Sequence, residues 1–543
     1  MPAPLVPIRL QNPGSFGLNS QEKYGVIDPR YGTILKNAAF DASGRVVSRK
    51  GWTKSTSSGS PGGYEIESMY AYEDGTNTVI ISAANGGIYY GTGTMTSITI
   101  TPVVSAANNN WQFDTWIDGS GNKYLLAWQA GEEPMISQMT GAVPGTWAAL
   151  QTSVTASGTG TVPTGNAVHV AFGRIWAVDS DGLNVIGCAT LDHLNWSTGA
   201  FSFDVSSYWP DNAGDRITAI TSWEDKLVVF GSQNILIYDN PDDTANWALV
   251  DTISGVGCVG RDTIQRIGSD LFFMSTSGMR SLQRTIQNEK LPLQEVGNQV
   301  RDDVVDAIVD NEATLKSAYS PKDGFYLLVI KDSAAPLCYL YDFKSSRRAV
   351  REGLDQPIPH GMIRISKWTG FEPGAMCFGL DGFLYGGFRD DAAGNACVGY
   401  YGGYNDDTSS YVFQYASPWL DMSQLMPEAM SFQKILKSAR ITTIGGPGYS
   451  PQFTWSYDHS YSNAGSYSYS IPDATTAAAS QFGLGKWGES YWGFTEDLTI
   501  NDRRINLAGR GDKFRVGLLC VIDGASFGLQ DLQLFMKKGR LAR

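Results

Sequence analysis

The sequence predicts an all-β chain: a β-propeller of six or seven blades followed by an additional C-terminal β domain. Three observations lead there. Among 543 residues there are 61 Gly, 15 Trp, 26 Tyr and 23 Phe, while charged residues make up only 17%, a balance that suits short aromatic strands broken by turns rather than helices rich in Glu, Lys and Leu. A strand-rich unit recurs, made of an alternating apolar run, a Gly, Asp or Asn turn, and a second run ending in aromatics. Its copies begin at Met69, Asn110, Val168, Ile217, Thr263, Ser317 and Ala375, with spacings of 41 to 58 residues. That period is close to the ~40–50 residues of a four-stranded propeller blade. Blades that each stack only on their neighbours also explain how so long a chain keeps one continuous core.

In chain order, residues 1–54 form an N-terminal opening segment, 55–405 the propeller and 406–543 the C-terminal β domain. Within the units, turns such as Asp323-Gly324 and Asp381-Gly382 are expected to supply the left-handed backbone of a two-residue hairpin. One segment departs from the strand pattern. Over Asn298–Asn311, Val300, Val304, Val305, Ile308 and Val309 fall on one helical face and Asp302, Asp303 and Asp306 elsewhere, which predicts a short amphipathic helix between blades. From Tyr401 to Ser438 the rhythm stops, and Met422–Ala439, interrupted by Pro427, reads as a connecting stretch. The Tyr-, Ser- and Ala-rich run His459–Ser480 reads as an exposed loop, and strands are expected again over Lys513–Ile522 and Leu529–Met536.

The net charge of −13 is unevenly spread: residues 1–54 and 502–543 each carry +5, which leaves −23 between them. Such asymmetry points to basic ends that meet acidic neighbours, through Arg45, Arg49, Lys50 and Lys54 at one end and Lys537, Lys538, Arg540 and Arg543 at the other, and to an acidic body that repels nucleic acid. No run reaches the roughly 18 apolar residues of a membrane-spanning helix, and Met1–Leu10 lacks a signal peptide's layout, so a chain kept soluble inside a cell is expected. Cys188, Cys258, Cys338, Cys377, Cys397 and Cys520 include no C-x-x-C pair and read as buried thiols.

Motifs that resemble chemistry are better explained by turns. Four histidines, His169, His193, His360 and His459, supply triad chemistry poorly and read as surface or loop residues. Ser180-Asp181-Gly182 partly matches the Asp-box turn of sialidase blades, but a hairpin turn selects the same residues. Gly483–Gly488 has the letters of a dinucleotide fingerprint without the strand-turn-helix around it. Arg510-Gly511-Asp512 reads as a turn before a strand, and Asp239, Asp242 and Asp243 as a solvated loop rather than a calcium site. No catalytic, cofactor-binding or metal-ligating residue is assigned, and a non-enzymatic protein is expected.

Several stretches resemble the tail hub, or nozzle, proteins of podophages, including the group named packaged DNA stabilisation proteins. They are Ile217–Tyr238, with Trp223 and LVVFGSQNILIY; ISGVGCVGRDTIQRIGSDLFFMSTSGMRSL from Ile253, followed by the short helix; AFGRIWAVDSDG from Ala171; FRVGLLC from Phe514 with LQDLQLF from Leu529; and the opening Gly17–Trp52 with IDPRY, NAAFD and GRVVSRKGW. The resemblance implies a structural virion protein of a short-tailed phage, assembled in the host cytoplasm. It implies a homo-hexameric ring below the portal and its adaptor that continues the DNA channel, retains packaged DNA and conducts it at ejection. Tail fibres, tailspikes or a needle would attach to it, and double-stranded DNA would pass without sequence-specific binding. The competing expectation is a tail-associated propeller enzyme or lectin acting on host surface polysaccharide.

Overall fold

The computed structural model describes residues 5–22, 27–41, 43–76, 78–101, 109–197, 199–209, 214–243, 245–287, 296–331, 337–344, 363–390, 392–472 and 500–541. The chain is all-β, with many small antiparallel sheets. Seven of these follow one another along the middle of the chain. The first contains Ser68–Glu73, Thr78–Ala84, Gly87–Tyr90 and Thr96–Ile98; the second Gln112–Ile117, Lys123–Trp128 and Met135–Thr140, with two short outer strands. The third contains Val168–Ala171, Arg174–Val178, Asn184–Gly187 and Phe201–Asp204; the fourth Ile217–Trp223, Lys226–Gly231, Asn234–Asp239 and Ala248–Ser254. The fifth has three strands, Gln265–Ile267, Asp270–Ser275 and Gly278–Ser281. The sixth comprises Lys316–Ser320, Phe325–Ile330, Leu337–Asp342 and Arg364–Trp368, and the seventh Met376–Phe378, Leu384–Arg389 and Ala396–Tyr401.

Second strands such as Arg174–Val178 and Phe325–Ile330 are buried at every position, so both of their faces are covered by neighbouring sheets. Separate apolar clusters fill the gaps: Ile81, Phe113 and Leu125 between the first and second sheets, Trp176, Val185 and Leu227 between the third and fourth, Phe230 and Phe273 between the fourth and fifth. The first strand of the second sheet packs on those of the first and third, and the third on the fourth; the fifth packs on the sixth, the sixth on the seventh, and the seventh returns to the first. Trp223 Nε1 of the fourth sheet donates to the Ser269 carbonyl of the fifth at 2.8 Å.

The seventh sheet takes its fourth strand from the other end of the chain: Trp52–Lys54 pairs with Ala396–Tyr401. Trp52 stacks on Phe388 with centroids 4.2 Å apart and planes within 3°. The opening segment is also built into two larger sheets. Ile34–Lys36 lies between Arg364–Trp368 and Tyr411–Ala416 in a nine-stranded sheet that carries the sixth sheet on into Phe514–Ile522, Gln452–Tyr457 and Ser460–Ser468. Val6–Gln11 pairs with Phe527–Leu541 in a six-stranded sheet with Ala38–Phe40, Val46–Ser48, Phe432–Gly445 and Ile500–Asn506.

Four local expectations are corrected. Asp323-Gly324 lies in a four-residue loop between Ser320 and Phe325, and Asp381-Gly382 in a five-residue loop between Phe378 and Leu384; only the glycines, at φ +65° and +80°, are left-handed. Two-residue hairpins with both residues left-handed occur instead at Asn85-Gly86, Phe172-Gly173 and Asp458-His459. Much of the stretch read as a connection is the 14-residue strand Phe432–Gly445, preceded by a 3-10 turn at Pro427–Ala429. The run from His459 begins with the strand Ser460–Ser468, and residues 473–480 of it lie outside the described residues. The helix is shorter than expected, Arg301–Ile308 after a 3-10 turn Asn298–Val300; Val300, Val304 and Ile308 are buried, but Val309 lies past its end and is 55% exposed. Among the described residues no helix is long and apolar enough to cross a membrane.

Candidate functional site

The first strands of the first, second, fifth, sixth and seventh sheets border a cavity of about 410 Å³ whose lining includes Tyr70, Phe113, Asp262, Gln265, Lys316 and Cys377. A charged cluster closes one side of it. Lys316 Nζ donates to Asn110 Oδ1 at 2.6 Å and to Asp262 Oδ2 at 2.5 Å, and Arg261 Nε donates to Asp262 Oδ1 at 2.9 Å. Arg261 also donates through Nη1 to the Asn166 carbonyl at 2.6 Å and through Nη2 to the Asn110 carbonyl at 3.1 Å, so one guanidinium ties the entrances of the second and third sheets to the fifth. Gln265 Nε2 and Ser317, 3.2 Å apart, join the fifth to the sixth.

Burial alone would raise the Asp262 carboxyl, but Arg261 and Lys316 hold it well below the usual carboxylate range; burial, and then Arg261, push the Lys316 ammonium down. The ionised form of Asp262 is therefore favoured, and it is the one carboxylate among the residues lining this cavity. Glycoside hydrolysis needs two carboxyls of opposed protonation some ~5–9.5 Å apart. The cluster is suited to fixing strands rather than to moving protons.

A second chain of polar contacts crosses the first strands of the first four sheets. His169 Nε2 lies 3.0 Å from Ser222 Oγ, and its Nδ1 lies 3.6 Å from Asp114 Oδ2, which accepts the Val170 N–H at 2.8 Å; Tyr70 and Thr115 hydroxyls meet at 2.9 Å. These contacts run from the first sheet to the fourth. Asp114, His169 and Ser222 are the residue types of a hydrolase triad, a juxtaposition the reading of His169 as a surface or loop residue missed. They stand 55 and 53 residues apart, close to one repeat each, but at the fifth, second and sixth positions of their units, so superposing the units does not align them. The chemistry is incomplete: 3.6 Å exceeds a hydrogen bond, the carboxylate already receives the Val170 and Thr115 N–H groups, and Ser222 sits within a strand rather than on the strained turn that projects a nucleophile.

The remaining expected residues are scattered. His193 lies in a loop but is buried, 8% exposed, against Tyr124 at 4.9 Å, and burial pushes its imidazole down. His459 sits in the tight turn before Ser460, at φ +58°, 4.2 Å from the Trp419 ring. In Ser180-Asp181-Gly182 it is the preceding Asp179 that receives the Leu183 and Asn184 N–H groups, with Gly182 at φ +68°. Asp243 accepts from Ala245 N and the Asn246 amide, while Asp239 faces Lys226 at 3.6 Å; among the described residues no three His, Cys, Asp or Glu could hold a metal together. Arg510-Gly511-Asp512 is a turn bridged to Lys434, with the Asp512 N–H donated to Asp458 Oδ1 at 2.8 Å. Five of the six cysteines are buried and Cys377 is half-buried; all are free thiols. His360 and Gly483–Gly488 lie outside the described residues.

The basic residues of the opening segment meet acids of their own chain. Arg45 pairs with Asp41 at 2.6 Å, Lys50 with Asp323 at 3.4 Å and Lys54 with Asp390 at 2.7 Å, while Arg49 is wholly buried against Asp406. At the other end Lys538 lies 3.7 Å from Glu428. Beside Asp406 is a larger cavity, about 850 Å³, bordered by Trp52, Glu65, Lys331, Glu372 and Phe388. Burial, and then Glu65 and Asp406, push the Glu372 carboxyl up.

No family model matches the chain, and no curated protein matches it. Among solved structures it is similar to the AfRom2 CNH domain, at 9% identity and a TM-score of 0.34 over 65% of this chain and 98% of that one. It is also similar to a protein from Bacteroides fragilis NCTC 9343 described as exported, at 10% identity and a TM-score of 0.31 over 67% and 98%.

Proposed function

We propose that the seven small sheets are the blades of a β-propeller, closed by the N-terminal strand Trp52–Lys54, and that the chain is a non-enzymatic tail hub or nozzle subunit of a short-tailed phage. The observation that carries a structural rather than a catalytic role is one continuous strand ladder. The sixth sheet is joined to the C-terminal strands through Ile34–Lys36, by one parallel pair, Lys36 with Lys367, on one side and three antiparallel pairs on the other, so a force on the C-terminal unit passes to the small sheets through backbone hydrogen bonds. A body built this way suits a wall that retains packaged DNA under pressure. In this reading six copies form a ring below the portal and adaptor, hold fibres, tailspikes or a needle, and belong to a virion assembled in the host cytoplasm.

Charge supports the same reading. Six copies of a −13 chain carry −78, and if part of that charge faces the lumen it repels phosphate over about 8 Å at physiological salt, so DNA slides rather than binds. The test is native mass measurement of the adaptor-bound complex together with electron micrographs of virions labelled on this protein. A stoichiometry of six and a label on the tail are expected. A label away from the tail, or release of reducing sugar from host polysaccharide by the purified chain, would overturn the reading.

A further inference from the structure

We infer that the outer face of the six-stranded sheet of one copy docks on the acidic segment Arg301–Glu312 of the next copy. The inference rests on the ring reading above and names the contact.

The sheet face is basic. Along Phe432–Gly445 the inward residues Leu436, Ala439 and Ile441 are buried while Lys437 and Arg440 are exposed. Arg504 lies opposite Arg440 in the register and over the Phe535 ring at 5.5 Å; Lys537 lies opposite Ile435, and Arg9 is 59% exposed on the adjoining strand. Asp531 and Asp502 answer Arg9 and Arg440, which leaves Lys437, Arg504 and Lys537 as cations in excess around Phe535 and Ile435.

The opposite charge is concentrated on one short segment. Asp302, Asp303, Asp306, Asp310 and Glu312 are all exposed, with Arg301 the only basic residue among positions 301–312. Helix stability does not account for it. Asp302 and Asp303 favour the N-terminus, but Asp306 and Asp310 sit at the negative end of the helix dipole. Asp310 moreover holds φ +69°, where Gly or Asn is the usual residue. Val309, 55% exposed among these acids, provides an apolar point to meet Ile435 and Phe535. Among the described residues no ion pair joins the two surfaces within one chain. Two different, complementary patches make a head-to-tail contact, the kind that closes rings, and such charged rims set association rate and salt dependence more than intrinsic affinity.

The experiment is sedimentation velocity and native mass measurement of the full chain at low and high salt. Lys437→Glu with Lys537→Glu is expected to lower self-association at least tenfold at low salt; Asp306→Lys with Asp310→Lys is expected to do the same; and mixing the two variants is expected to restore it. All four positions are exposed or half-exposed, so an unchanged thermal midpoint verifies folding. Wild-type chain that stays monomeric at low salt, or reversal variants that associate unchanged, would overturn the contact while the virion labelling and adaptor-bound stoichiometry still judge the ring. Binding of a labelled DNA duplex to the wild-type face, lost in the Lys437→Glu/Lys537→Glu variant without loss of self-association, would assign the face to nucleic acid instead.

Discussion

Arg49 and Asp406, 357 residues apart, form a bidentate ion pair, Nη1 to Oδ1 at 2.7 Å and Nη2 to Oδ2 at 2.6 Å. Arg49 Nε donates to Asn37 Oδ1, and the guanidinium lies 4.0 Å over the Tyr411 ring. Every donor direction of a wholly buried cation is thus used, which is what makes such a pair tolerable in a core. Arg49→Met leaves Asp406 without its counter-charge and is expected to cost about 3–5 kcal/mol in urea unfolding. Arg49→Lys is expected to recover only part of this, because an ammonium cannot make the fork or the stack. Equal stability of the Met variant and the wild type would remove the pair from the account of the fold.

The Trp52 side chain joins the opening segment to the seventh sheet by stacking on Phe388. Trp52→Ala removes a large buried ring from the closing strand and is expected to cost about 3–5 kcal/mol, with Trp52→Phe much milder. Hydrogen exchange should show the loss first in Ala396–Tyr401, its pairing strand. Uniform loss across all sheets would mean that closure is not local to this seam.

Lys316→Met breaks the charged cluster at its centre, leaving Asp262 to Arg261 alone, and about 1.5–3 kcal/mol is expected to go with it. A double cycle with Asp262→Asn should show coupling above 0.5 kcal/mol, the level that separates contact from independence. Strict additivity would deny the contact.

His193 gives the chain an acid sensitivity with a definite sign. Burial holds its folded-state imidazole below the ordinary value near 6.5, with Asp118 and Asp192 opposing only in part. The unfolded chain therefore takes up the proton first, so the stability associated with neutral His193 is present above pH ~6.5 and is lost as pH falls from there toward 5. His193→Gln should lose less thermal stability than the wild type between pH 7 and 5. An equal loss in both would place the sensitivity elsewhere.

Ser222 is expected to be unreactive. A fluorophosphonate probe should leave the purified chain unlabelled, and Ser222→Ala should alter only local packing. Labelling of Ser222, abolished by His169→Ala, would establish a working nucleophile and contradict the non-enzymatic reading.

What could be read from the sequence followed the range of the interaction. The seven repeat units contain or directly precede the first strands of the seven small sheets, because apolar runs, aromatics and turn glycines are local signals. Phe432–Gly445 was obscured because Pro427 precedes it and register shifts near Gln433, Lys437 and Thr442 break the period of two. Trp52–Lys54 carries nothing local to name Ala396–Tyr401 as its partner. Asp114, His169 and Ser222 occupy neighbouring strands, but uneven loop lengths displace them from any fixed spacing. The basic character of the opening segment was legible, while the destination of Arg49, Lys50 and Lys54, within the same molecule, depended on contacts hundreds of residues long.

The closing strand also sets a timetable for biosynthesis. Residues 52–54 leave the ribosome about 350 residues before Ala396–Tyr401, which at ~5–20 residues per second means a wait on the order of 20–70 s. Through that interval the nascent chain holds an unpaired strand with Trp52 exposed, and Val6–Gln11 waits longer still for Phe527–Leu541. Completion is therefore expected only near the end of translation, and a chain truncated before Phe527–Leu541 would leave Val6–Gln11 and Phe432–Gly445 without that pairing strand, as edges for chaperones to cover.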